Sequence, residues 1–474
     1  MEPGELMQGV ADQSEPVTGA LQTALGAVGS SPIAIELFCG AGGMSLGFEA
    51  AGFDVLVAVD NNPIHTATHE WNFPQTHSLC ADINDLSAED LLATAKAQWG
   101  KHHLNSSWPD DIDCVFGGPS CQGFSEIGKR NPADERNELI RAFAELVVGV
   151  NPKYFVMENV PGLLAPVNEA VLTEALKIFF GANYFLTASG PFVLNAGDFG
   201  VPQARRRVFV VGSREDMTPA SAPIGNAIKA TVAEALSDLR YLDEKEILRT
   251  ADSVQLSSEE VAGLEQQASP YARSLRSGAD LKHGSYGAGY ERPWDRTIMT
   301  SCGRTVHRDE VIERFQGTAE GAEELISRLP RLRSTGLAPT LRAGTARDHG
   351  SFTSARPIHY SIPRVITLRE AARLHSFPDW FRFHVTKWHG FQQVGNSVPP
   401  ILARAVAQVV IEALRVVPNQ LPAQPVSRDD KLLSLSLMDA AKHYNIDVSK
   451  LPKESRVRIK PKAQRPSSQK EGFV

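Results

Sequence analysis

Residues 33–43 read Ile33-Ala34-Ile35-Glu36-Leu37-Phe38-Cys39-Gly40-Ala41-Gly42-Gly43, an apolar run that ends in a glycine cluster just before the helix-forming stretch Met44–Ala51. A strand delivered onto a glycine turn at a helix start is the opening unit of a parallel sheet wrapped by helices. Glycines there let the backbone approach a ligand closely, and the first helical N–H groups lack intrahelical partners. The spacing is not the G-x-G-x-x-G of dinucleotide enzymes, which argues against a nicotinamide cofactor.

The same rhythm continues to Val211. Buried strands are expected at Ile33–Phe38, Val55–Val59, Cys114–Phe116, Tyr154–Met157 and Val208–Val211. Helices are expected at Met44–Ala51, Pro63–Asn72, Asn137–Gly149 and Glu169–Phe180. From about 216 to 360 the pattern turns irregular, then regularity resumes at Leu368–His375 and in the amphipathic stretch Pro399–Leu414, which can dock back on the first domain. The expected organisation is a flexible leader over 1–31, an α/β domain built from 32–215 and 361–416, and a smaller irregular domain over 216–360. A mostly disordered basic tail follows over 417–474, with a short helix near Leu433–His443.

Composition narrows the class. The chain has 474 residues, 42% of them hydrophobic and 22% charged, which suits a soluble protein with a large core. Met1–Glu5 lacks the features of a signal peptide, and Arg404 interrupts the most apolar stretch, Ile401–Leu414, so a cytoplasmic protein is expected. Five cysteines (Cys39, Cys80, Cys114, Cys121 and Cys302) without a CxxC pair point to free thiols and away from disulfides or structural zinc. His65 and His69 lie one helical turn apart without an evident third ligand; they are expected on the helix surface, and no metal is expected. A net charge of -7 gives no global sign of a nucleic-acid partner, although a compact basic face can sit on an acidic protein.

Chemistry concentrates in short motifs. Gly117-Gly118-Pro119-Ser120-Cys121-Gln122-Gly123-Phe124-Ser125 places a thiol on a Gly/Pro-framed turn directly after a strand, the way a nucleophile is presented at a sheet edge. Glu158 ends an apolar run in Met157-Glu158-Asn159-Val160-Pro161-Gly162, where partial desolvation raises a carboxyl pKa. In Gln203-Ala204-Arg205-Arg206-Arg207, alternation puts Arg205 and Arg207 on one face and Arg206 on the other. Asp60 ends the second strand, where a carboxylate can accept from both hydroxyls of a ribose, and Asp82-Ile83 sits where a third loop can reach an adenine ring. Far down the chain comes Gln393-Val394-Gly395-Asn396-Ser397-Val398-Pro399-Pro400.

In this order and spacing the motifs resemble those of the cytosine-5 DNA methyltransferases of bacterial type, from Ile33 to about Arg415 and excluding most of the middle. The resemblance implies a Rossmann-like sheet that binds S-adenosyl-L-methionine, plus a target-recognition domain over 216–360. Phe38 would pack on the adenine, Gly40, Gly42 and Gly43 would pass the methionine part, and Asp60 would hold the ribose. Asp82, Ile83, Pro119, Asn396 and Ser397 would complete the cofactor site. Cys121 would add to carbon 6 of a flipped-out cytosine, Glu158 would share a proton with the ring nitrogen beside the amine, and Asn159 would brace the Cys121 loop. One of Arg205 and Arg207 would fix the base's carbonyl oxygen, the other Glu158 or a phosphate. Three departures stand out: Ser120 replaces the usual Pro, Asp60 the common Glu, and His375-Ser376 the commoner Gln-Gly of a mainly structural motif.

Double-stranded DNA is the expected partner, with a restriction endonuclease as functional counterpart and the enzyme itself a monomer associated with the nucleoid. Tyr290-Glu291-Arg292-Pro293-Trp294-Asp295-Arg296 combines arginine with aromatics, suited to phosphate contact and base-edge reading, and Ala338–Gly344 resembles a Thr-containing segment of such domains. A transfer-RNA cytosine-5 methyltransferase and a catalytically silent DNA-binding homologue are the alternatives; silent homologues typically lose the cysteine or the glutamate, and this chain keeps both. The basic residues from Lys453 to Arg465 suggest a DNA-tracking arm, with a solubilising tail the simpler expectation.

Overall fold

Every residue of β1 (Ile33–Leu37) is buried, and its side chains alternate between separate cores on the opposite faces of the sheet. Ile33, Ile35 and Leu37 pack in one cluster with Leu91, Ile140, Phe143 and Phe179, whereas Ala34 belongs to another with Phe48, Leu402 and Val406. A strand buried on both faces needs a helical layer on each, and both are present. The computed structural model describes residues 31–104, 107–119, 138–225, 229–276, 290, 292, 294–344, 356–419 and 428–450.

The remaining strands of the main sheet are β2 (Asp54–Asp60), β3 (His77–Cys80), β4 (Cys114–Gly117), β5 (Tyr154–Asn159), β6 (Tyr184–Leu186), β7 (Phe192–Asn195) and β9 (Arg206–Arg214), with the short β8 (Gln203–Ala204) just before β9. They run in the order β3-β2-β1-β4-β5-β9-β6, with β7 also on β9. The first five are parallel, but β9 is antiparallel to β5, β6 and β7. The parallel sheet read from the sequence thus carries an antiparallel edge, while the Rossmann-like sheet with helices on both faces is present. Parallel return needs a crossover, and between β7 and β9 there is only a short turn, Ala196–Phe199, and β8.

The helices flanking this sheet are α1 (Gly43–Ala51), α2 (Pro63–Asn72), α3 (Ala88–His102), α4 (Glu138–Val150) and α5 (Glu169–Gly181). Asn62 starts α2 by accepting from Ile64 N at 3.0 Å, and Pro63 takes the first helical position, where a missing N–H loses nothing. Ser87 and Asp90 form a reciprocal capping box that starts α3. This helix is absent from the sequence expectations, although Leu91, Ala95, Gln98 and Trp99 are its buried stripe at helical spacing.

Residues 387–414, which have the length and mean hydropathy of a membrane span, form two helices, Lys387–Asn396 and Pro400–Leu414. The apolar stripe Leu402, Ala403, Val406, Ala407 and Val410 is buried in the sheet core. Gly47 of α1 permits this close approach, since a Cβ there would lie 2.6 Å from Arg404 N.

The middle of the chain and residues 366–394 share one core, in which Leu236, Leu239, Met299 and Leu341 pack with Leu368, Leu374, Phe377 and Phe381. Boundaries near 216 and 361 thus do not separate two independent interiors. A fully buried ion network registers the segments: Arg373 reaches Asp238 at 2.7 Å and Asp379 at 2.8 Å. Some of the stretch expected as a mostly disordered tail is also folded. Leu432 and Leu433 bury against Ala67 and Trp71 of α2, Trp71 Nε1 donates to Asp430 at 2.9 Å, and the Tyr444 hydroxyl donates to Glu70 at 2.6 Å. The short helix begins at Leu437, four residues after the expected start.

Candidate active site

The strand order changes direction between β1 and β4, and the carboxyl ends of strands flanking such a switch open a crevice. Phe38–Gly43 leaves β1 there, Pro119 follows β4, Glu158 and Asn159 end β5, Asp60 ends β2, and Asp82 follows β3.

On the glycine-loop side, Phe38 adopts a left-handed backbone (φ 61) that a non-glycine residue holds only at a cost of about 1–3 kcal/mol. It is half-buried, packed against the core on one side of the sheet. Gly40 is also left-handed (φ 56), and among the described residues a Cβ there would meet nothing within 4 Å, which marks a hollow in front of the loop. Asp60 ties the loop down: one carboxylate oxygen accepts from Gly40 N at 2.9 Å and the other from Asn62 N at 2.8 Å. A carboxylate has about four acceptor positions, so capacity for two hydroxyls remains. Asp82 is exposed and caps the turn Ile83–Asp85 through Asn84 N, while Ile83 is buried. The late motif does return here. A Cβ on Gly43 would lie 2.6 Å from Val398 O and 2.8 Å from Ser397 Cβ, and Asn396 is exposed beside them. The open glycine hollow, half-buried aromatic and carboxylate fit a nucleoside with an extended amino-acid portion.

On the chemical side, Gly117 lets β4 approach β1, since a Cβ there would sit 2.9 Å from the Leu37 carbonyl carbon. A Cβ on Gly118 would lie 2.8 Å from Glu158 Oε2, so this glycine leaves the carboxyl room at the mouth of the loop. Asn159 Nδ2 donates to Pro119 O at 3.2 Å and its Oδ1 accepts from Val160 N at 2.9 Å, joining β5 to the residue two before Cys121. Cys121 and Ser120 themselves lie outside the described residues. Burial pushes the Glu158 carboxyl above the usual range, while Arg207 and Arg205 pull it back; the net direction is upward. Arg207 Nε lies 2.8 Å from Glu158 Oε1. The other four cysteines are all buried and unpaired, and burial raises their thiols, those of Cys80 and Cys302 to about 12. None of the four is poised as a thiolate.

The two paired arginines separate in environment. Arg205 is fully buried and donates to Leu341 O at 3.0 Å, Gly395 O at 2.9 Å and Ser397 O at 2.8 Å. It stitches β8, the 338–344 segment and the late motif together. The same seam holds Gln203, which donates to Leu374 O and accepts from Leu341 N, and Thr340, whose hydroxyl donates to Ala204 O at 2.7 Å. His375, expected only as a departure in a structural motif, is fully buried in it, with Nε2 donating to Ser397 O at 2.8 Å and Nδ1 facing Gln203 Nε2 at 3.0 Å. Ala338–Gly344, which resembles a target-domain segment, is thus in large measure scaffold.

Two further expectations change. Tyr290 and Arg292 are buried instead of presented to DNA: the Tyr290 hydroxyl donates to Asp54 at 2.7 Å, and Arg292 pairs with both oxygens of Glu49. His65 and His69 are buried rather than on the helix surface, because α2 is covered by the sheet and by residues 428–450. Tyr290 and Arg292 escape a sequence reading because their partners lie far away in the chain, Arg292 and Glu49 being 243 residues apart.

Comparisons with known proteins show the family. The model of the C-5 cytosine-specific DNA methylase family matches residues 33–412. The Type II methyltransferase M.XorII of Xanthomonas oryzae pv. oryzae is 42% identical over 434 residues, covering 92% of this chain and 97% of that protein. The Type II methyltransferase M.AgeI of Thalassovita gelatinovora is 30% identical, covering 80% of this chain and 99% of its own. The crystal structure of a candidate DNA modification methyltransferase encoded within an E. coli prophage superimposes with a TM-score of 0.63 at 32% identity, covering 81% of this chain and 99% of the other. The chain belongs to the C-5 cytosine-specific DNA methylases and is a DNA cytosine methyltransferase.

Proposed function

We propose that the enzyme methylates carbon 5 of a cytosine swung out of duplex DNA, through a transient bond between that base and Cys121. Carbon 5 is a poor nucleophile while the ring stays conjugated. Addition of the Cys121 thiolate to carbon 6 gives an enamine-like ring whose carbon 5 can attack. S-adenosyl-L-methionine, when bound, supplies the electrophilic methyl group, and Phe38, Gly40, Gly42, Gly43, Asp60, Asp82, Ile83, Pro119, Asn396 and Ser397 are the residues proposed to hold it. Loss of the proton from carbon 5 then expels the thiolate and restores the ring. Glu158 shares a proton with the ring nitrogen as charge builds, and Arg207 orients Glu158. Arg205 acts through the scaffold, holding the late motif against the cofactor loop.

The observation that carries this reading is the meeting of Glu158, Gly118 and the Asn159–Pro119 hydrogen bond at the mouth of the Cys121 loop. Extruding a paired base costs a few kcal/mol, repaid by contacts to the opened duplex. As its relatives are Type II methyltransferases, pairing with a restriction endonuclease belongs to the proposal. Transfer of labelled methyl groups to duplex DNA, and none to transfer RNA, is the expected assay result. Methylation at one short sequence throughout the DNA of expressing cells would identify the site. Label appearing in transfer RNA alone would contradict the reading.

A further inference from the structure

The glycine loop rests on a floor supplied partly from the middle of the chain. A Cβ at Gly42 would lie 2.8 Å from Phe73 Cζ and 3.0 Å from His69 Cδ2, so the loop sits directly on these two stacked rings, whose centroids are 4.4 Å apart. His69 is fixed from both nitrogens, Nε2 at 2.8 Å from the Ser45 hydroxyl and Nδ1 at 2.7 Å from the Ser78 hydroxyl. The guanidinium of Arg292 lies 5.1 Å from the centroid of Phe73 and 4.8 Å from that of Trp380. It donates to both oxygens of Glu49, on the helix that springs from the glycine loop, and to Asn72 O at 2.9 Å. Tyr290 N reinforces the grip on Glu49 at 2.8 Å.

We propose that Arg292 is a positioning residue for the cofactor loop: by clamping Glu49 of α1 and Phe73 after α2, it sets where Gly40–Gly43 meets the cofactor. A segment whose composition suits DNA contact then serves the opposite ligand. This rests on the reading of Phe38–Gly43 as the S-adenosyl-L-methionine loop. A planar fork that engages both carboxylate oxygens while lying over an aromatic ring is a role lysine cannot reproduce.

The test measures two affinities on full-length protein, at a temperature where circular dichroism shows each variant folded. S-adenosylhomocysteine binding is read by calorimetry, and binding of a duplex oligonucleotide without cofactor by fluorescence anisotropy across a salt series. Arg292→Met is expected to weaken S-adenosylhomocysteine at least tenfold and to leave duplex affinity within twofold, with an unchanged salt slope. Arg292→Lys should fall between this variant and the parent. If Arg292→Met does not fold, the pair Glu49→Gln with Arg292→Met leaves no carboxylate unpaired, and Phe73→Leu removes the floor without touching a charge; the same tenfold loss is expected of both. Cofactor affinity within twofold of the parent, or reduced duplex affinity with a shallower salt slope, overturns the proposal. Failure of the parent itself to bind S-adenosylhomocysteine would instead overturn the reading of the loop.

Discussion

Glu158 shows how opposing influences on one side chain set its charge. Burial disfavours its charged form, and Arg207 at 2.8 Å favours it, with burial prevailing. A folded pKa above the unfolded value of about 4.3 means the contribution to stability is complete below that value and is lost as pH rises through the folded pKa. The same sign holds for catalysis if the protonated carboxyl serves the ring nitrogen: kcat declines on the alkaline side. Glu158→Gln should lower kcat about 10²–10⁴-fold, the usual weight of a positioned acid or base, and flatten that limb. A pH–rate profile of both proteins checks this, with S-adenosylhomocysteine affinity as a control expected to stay constant. Gly118→Ala pushes a methyl group to 2.8 Å from Glu158 Oε2, and should lower kcat with little change in thermal stability.

Elements succeed or fail by what seats them against each other. Arg205 serves three carbonyls from two distant segments, so Arg205→Met leaves buried acceptors unsatisfied and should cost about 3 kcal/mol in urea unfolding. Gly47→Ala would force α1 away from Pro400–Leu414 and should cost about 1–3 kcal/mol by the same measurement. Elements with strong local signals were legible from sequence: α2 begins and ends at the expected residues because Asn62 and Pro63 mark its start. The glycine turn after β1 was equally plain, since its backbone requires φ near 60° to 100° at Gly40 and Gly42. The antiparallel entry of β9 was not legible, because strand direction depends on whether a crossover forms. Nor was the division of labour between Arg205 and Arg207; Arg205 is set apart by partners 136 to 192 residues away, and Arg207 by Glu158 on a neighbouring strand.

Across the whole molecule, tertiary links fasten the middle segment and the folded portion of the C-terminal stretch to the elements around the main sheet. Breaking a buried ion pair from one side costs about 3–5 kcal/mol, so Arg373→Met should unfold the shared core at markedly lower denaturant, whereas Arg249→Ala, with an exposed pair, should change stability by less than about 1 kcal/mol. Removing residues 428–474 uncovers Ala67 and Trp71 and takes away Leu432 and Leu433. Each buried leucine is worth about 1.5–3 kcal/mol, so a fall of several degrees in Tm is expected on calorimetry. The sequence marked this region by its Pro, Ser and Lys content, which outweighed a short apolar cluster whose partner helix is far upstream. Membership of the family was legible because six motifs fall in order along the chain, several of them at strand ends, where ligands meet an open α/β sheet; the scaffold role of Tyr290 and Arg292 was not, because arginine beside aromatics suits a buried clamp as well as a nucleic-acid surface.

The proposed chemistry reduces to one bond between sulfur and a pyrimidine. Duplex DNA bearing 5-fluorocytosine at the methylated position, incubated with S-adenosyl-L-methionine, should retain the enzyme as a denaturant-resistant adduct, because fluorine on carbon 5 cannot leave as a proton does. The account predicts that adduct for the parent protein and none for Cys121→Ser. An active parent that forms no adduct, or an adduct that persists in Cys121→Ser, would contradict it.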